Sequence, residues 1–100
     1  MTFEEKKKVI NHAFQELRHE NICAKYTVNK PWKFLENESN EQAITYQKSD
    51  FELLEEKNYI ILYWKGNGEM ILKKLQEHFN KVVWDGMIGS TMKVVFITSN

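Results

Sequence analysis

The chain is poor in the residues that usually announce a function. It has a single cysteine, Cys23, and a single proline, Pro31, and its 14 basic and 14 acidic side chains cancel to zero net charge. One cysteine excludes an internal disulfide and suits a reducing compartment. Balanced charge leaves no field to steer the chain onto nucleic acid or an anionic membrane. No apolar run approaches the roughly 20 residues that a membrane helix needs. The opening Thr2-Phe3-Glu4-Glu5 also lacks the apolar core of a signal peptide. These absences predict a cytoplasmic protein with neither a nucleic-acid nor a membrane partner. There is no internal repeat and no low-complexity stretch, so residues 1–100 are expected to form one domain.

What is present is strong α/β patterning. Tyr59-Ile60-Ile61-Leu62-Tyr63-Trp64 is an unbroken apolar run suited to a central strand. Gly66-Asn67-Gly68 ends it, and Asn67 can cap the next helix, whose stripe is Ile71, Leu72, Leu75 and Phe79. Residues 81–84 then form a short strand, Asp85-Gly86 a turn, and Thr91 to Thr98 a last strand that includes Val94, Val95, Phe96 and Ile97. Thr2 and Glu5 stand in capping-box spacing ahead of a helix striped by Phe3, Ile10, Ala13, Phe14 and Leu17, ending near Asn21. Lys6-Lys7-Lys8 reads as its solvated side, with His12 and His19.

The first strand spans 22–28, with Ile22, Ala24, Tyr26 and Val28 expected towards the core. Residues 29–40 read as an irregular loop, because Pro31 breaks pairing and Asn37, Ser39 and Asn40 favour turns. A second strand covers 41–48. Ser49 and Glu52 suggest another capping box over a short helix at 50–57. The expected class is α+β: one five-stranded, mixed and largely antiparallel sheet in the order 1-2-3-5-4. Two main helices lie on one face, and a split β-α-β unit makes the third and fourth strands parallel around the last.

The run Ala43 to Asp50, the strand Tyr59 to Trp64 and the turn Trp84-Asp85-Gly86 together resemble an uncharacterised bacterial domain family of unknown function. That family shows a strand–Gln–Asp pattern and a Trp-Asp-Gly turn before its last strand. The resemblance covers roughly residues 22–97 and implies the fold alone. Many members carry paired cysteines after the first strand, where this chain has Asn29-Lys30-Pro31-Trp32. No metal or redox role is therefore carried over.

Each candidate site has a plain structural competitor. Gly66, Asn67 and Gly68 lie where a helix N-terminus could meet phosphate, and Asp85 lies about where a ribose-binding acid would. The third glycine of that fingerprint is Ile71, so a turn and a hairpin explain these residues as well. His12, His19, His78 and Cys23 are too dispersed to predict a metal site, and no cofactor is expected. Glu41, Asp50 or Asp85 with Tyr46 could serve acid–base chemistry, yet no nucleophile motif accompanies them. Trp64 and Trp84 suit a core better than a stacking platform. Trp32, Phe34 and Leu35 remain, in a segment that either covers the core or meets a partner. Trp32, Phe34 and the outward Met70 are the candidate partner-binding residues. The expectation is a non-enzymatic protein-interaction domain, homodimeric or bound to another protein. The alternative is a small enzyme or nucleotide binder using Gly66, Asn67, Gly68 and Asp85.

Overall fold

The computed structural model describes residues 1–96. Helix α1 spans Phe3–His19 and opens on the expected capping box: Thr2 Oγ1 accepts from the Glu5 amide at 3.2 Å. It closes at Asn21, whose φ of 65° is the left-handed turn asparagine tolerates. Strand β1 follows at Cys23–Thr27, then helix α2 at Pro31–Asn37 and strand β2 at Ala43–Gln47. A short α3, Lys48–Glu52, runs into a 3-10 turn at Leu53–Glu55. Strand β3 spans Tyr59–Lys65, α4 Gly68–Gln76, β4 Lys81–Val83 and β5 Met92–Val95. Ile97 and Thr98, expected in the last strand, lie outside the described residues.

The sheet order is β1-β2-β3-β5-β4, as the pattern predicts. β5 is antiparallel to both β3 and β4, so β3 and β4 run parallel around it with α4 as their crossover. β2 is antiparallel to β3, and β1 is parallel to β2. The parallel pair needs a crossover rather than a hairpin, and α2 supplies it.

α1 and α4 share one face. Ile10, Phe14 and Leu17 of α1 join Ile71 and Leu75 of α4, and Phe79 just past its end, in one cluster with Ile44, Ile60, Leu62, Met92 and Val94. α2 lies on the other face, over β2 and β3. It buries Leu35 there, over the face on which Thr45 is fully buried.

Four expectations need correction. Residues 31–37 are a helix, because Pro31 sits at the first helical position, where its missing N–H costs nothing. Tyr26 and Val28 are 52% and 70% exposed, because β1 is an edge strand and Val28 lies beyond its end at Thr27. Ser49 caps nothing: α3 begins at Lys48, with Gln47 at the cap and no side-chain bond. Lys6 is buried rather than solvated.

Candidate interaction surface

Helix α2 positions a groove at the end of β3. Lys30 takes a left-handed φ of 51°, which turns the chain so that Pro31 starts the helix against the sheet. Leu35 points inwards and Trp32 leans edge-on to Tyr63, ring centroids 5.3 Å apart. Tyr63 is held by its hydroxyl, which accepts from Gln47 Nε2 at 3.1 Å. Trp32, Leu35 and Glu36 make one wall of a groove of about 300 Å³. Trp64, Lys65 and Gly66, at the end of β3, make its floor, and Ile88 and Gly89 make the second wall. Lys65 Nζ is tied to the Glu38 carbonyl, which leaves the groove chiefly apolar.

The second wall is a rigid loop. Asp85 Oδ1 accepts from the Met87 amide at 2.9 Å and from Ser90 Oγ at 2.7 Å. These bonds hold the Asp85 carboxyl below its usual range, the Ser90 hydroxyl contributing most. Trp84 Nε1 donates to Ser90 Oγ at 3.0 Å, and Trp64 Nε1 donates to the Ser90 carbonyl at 2.7 Å. The two indoles meet edge to face at 5.5 Å. Two tryptophans thus anchor the loop, while its tip carries Ile88 at 93% exposure and Met87 at 64%. These bonds order the loop backbone in advance, which lowers what binding at Ile88 would have to order.

The expected site residues separate. Trp32 lies in the groove and is 42% exposed. Phe34, on the same helix, turns to the β1 flank, where Lys25 Nζ sits 5.2 Å from its ring centroid. Met70 is half-buried against the main core on α4, away from the groove residues. Gly66 and Gly68 serve packing. Gly66 has a φ of 111° and presses on Gln42, and Gly68 lies against the rings of Trp64 and Trp84. The N–H of Asn67 donates to Gln42 Oε1 at 2.7 Å, and Asn67 Oδ1 accepts from the Met70 amide at 3.1 Å. Two of the N–H groups that a phosphate would use are therefore taken, and the Asp85 carboxylate is engaged within its own loop.

Met87 and Ile88 stand outside the expected site, although the sequence marks them. Two bulky apolar residues between Gly86 and Gly89 have no reason to occupy a hairpin loop that water surrounds. Among the described residues, no group of three or more His, Cys, Asp or Glu side chains could hold a metal ion. No helix among them is long and apolar enough to cross a membrane. His12 and His78, far apart in sequence, meet edge-on at 6.0 Å.

No family model, curated protein or solved structure matches the chain, so the resemblance drawn on Tyr46, Asp50 and Trp84-Asp85-Gly86 gains no support from these comparisons.

Proposed function

We infer that the chain is a non-enzymatic interaction domain of the cytoplasm that pairs with a second copy of itself through the groove between α2 and the loop after β4. The observation that carries this reading is Ile88, 93% exposed on a loop that two tryptophans fix, beside an apolar groove of about 300 Å³. A knob adjoining a hole is self-complementary under a two-fold axis: each copy offers its Ile88 to the other's groove. Zero net charge removes long-range repulsion between copies. Cys23, one unpaired thiol, suits the reducing cytoplasm.

Magnitudes set the expected strength. Burying one isoleucine side chain is worth about 2–3 kcal/mol, so two per dimer contribute about 4–6 kcal/mol. Pairing at about 10–100 µM needs about 5.5–7 kcal/mol, and part of the gross gain is lost to ordering. Trp32 and Met87 supply the remainder, and a dimer dissociating at about 10–100 µM is expected. Light scattering after size separation tests it. The wild type should be dimeric at high concentration and monomeric when dilute, and Ile88→Asp and Trp32→Ala should be monomeric throughout. A wild type that stays monomeric at several hundred micromolar overturns the reading.

A further inference from the structure

The second sheet face is only half covered. α2 lies over β2 and the nearer part of β3, and the strands beyond it carry no helix. Two cross-strand rows lie open there: Tyr59, Val95 and Lys81, then Ile61, Lys93 and Val83. Lys93 Nζ stands 4.9 Å from the centre of the Tyr59 ring, and Lys57 Nζ stands 5.6 Å from it. Two ammonium groups thus lie against the Tyr59 ring, Lys81 adds a third lysine to the same rows, and none of these positions carries a carboxylate. The ion pairs among the described residues, Lys7 with Glu4 and Lys74 with Glu20, lie elsewhere. A neutral chain has sorted positive charge onto one open face. At its border β4 pairs only with β5 among the described strands, which leaves the outer backbone edge of Lys81–Val83 unpaired.

We propose that this face and the free edge of β4 receive an extended acidic segment of a partner protein, added to the sheet as a sixth strand. The edge supplies main-chain hydrogen bonds, and the face supplies selectivity. Side chains of an added strand alternate between faces, so every second residue stands beside Lys81 and Val83 on the open face, with Lys93 one strand further in. Carboxylates at those positions pair with Lys81 across the strand and extend towards Lys93, while the apolar residues between them turn to the other face, beside Val82. Single-stranded nucleic acid fits less well. It needs open ring faces on which bases stack, and Tyr59, the aromatic among these positions, already lies under two ammonium groups. This surface does not include the groove, so the two readings stand or fall separately.

The test uses the full chain and a fluorescein-labelled peptide of alternating glutamate and valine, followed by anisotropy across a salt series. A peptide of alternating lysine and valine and an oligo(dT) strand serve as comparisons. The Glu-Val peptide should bind and weaken as salt rises, and the Lys-Val peptide should not bind. Lys93→Glu and Lys81→Glu should each weaken binding on the order of tenfold. Lys93→Gln, which adds no repulsion, should weaken it less and serves if the reversal disturbs folding. Amide shifts should cluster at Lys81–Val83 and Met92–Val95, with the Trp32 indole signal unmoved. Absent binding at low salt, equal binding by Lys93→Glu, shifts centred on Trp32, or oligo(dT) bound at least as tightly as the peptide would each overturn the proposal.

Discussion

At the scale of single residues, Lys6 carries the clearest prediction. The residue is only 4% exposed, and its ammonium donates to the carbonyls of Leu54 and Lys57 at 2.9 and 3.1 Å and to Asn58 Oδ1 at 3.3 Å. A buried charge is tolerable only when so satisfied, and here it ties α1 to the turn that leads into β3. Lys6→Ala strands two carbonyls and is expected to cost about 3 kcal/mol in urea unfolding. Lys8→Ala, on the exposed side, should stay within about 0.5 kcal/mol. The sequence shows three lysines in a row and cannot show which meets carbonyls some fifty residues away, since such partners are set by tertiary packing. Cys23 is similar. Its thiol donates to Glu38 Oε1 at 3.0 Å; burial first, and then the Glu38 bond, push its pKa up to about 11 from 9.0. At pH 8 iodoacetamide should modify Cys23 slower than a free thiol by on the order of a hundredfold, with unfolding in urea removing the difference. The same shift bears on stability. The unfolded thiol ionises at 9.0 and the folded one near 11, so this contribution is complete below pH 9 and is lost as pH rises to about 11. Melting curves at pH 8 and pH 11 should show the decline, and a Cys23→Ser variant should show less of it.

At the scale of elements, the strongest local patterns were legible. The run from Tyr59 to Trp64 is a strand, the Thr2 capping box opens α1, and Asn67 caps α4, because each depends on neighbours within four residues. α2 was not legible, since one proline is compatible with two opposite outcomes. It breaks a strand but starts a helix, and the choice lies in the left-handed turn at Lys30 and the burial of Pro31 and Leu35. Half of the groove was visible for the same reason: Trp32 stands out in any loop or helix, whereas Ile88 gains meaning only once the hairpin faces α2. Gly68 gives the test at this scale. A Cβ there would come within 2.7 Å of the rings of both Trp64 and Trp84. Alanine favours a helix over glycine by about 1 kcal/mol. Even so, Gly68→Ala should lower stability by about 1–3 kcal/mol through overpacking, measured by thermal melting and accompanied by a change in tryptophan fluorescence.

At the scale of the molecule, stability and surface separate cleanly. The core lies between the sheet and the α1–α4 layer, and Ile88, 93% exposed, is not part of it. Ile88→Asp should therefore melt within a few degrees of the wild type when both are dilute, while only the wild type gains melting temperature with concentration. Equal concentration dependence in both chains would remove Ile88 from the interface. Strand order was legible because the crossover from β3 through α4 to β4 and the apolar last strand admit few arrangements. The parallel pairing of β1 with β2 was not stated in advance, because it follows from α2, which the pattern hid.

The place of β5 between β3 and β4 has a consequence for synthesis. β3, α4 and β4 emerge from the ribosome before the strand that must lie between them. Until Met92–Val95 clears the exit tunnel, Ile60 and Leu62 lack the sheet neighbour that gives them their native surroundings. The sheet therefore closes only after translation has passed its last described strand.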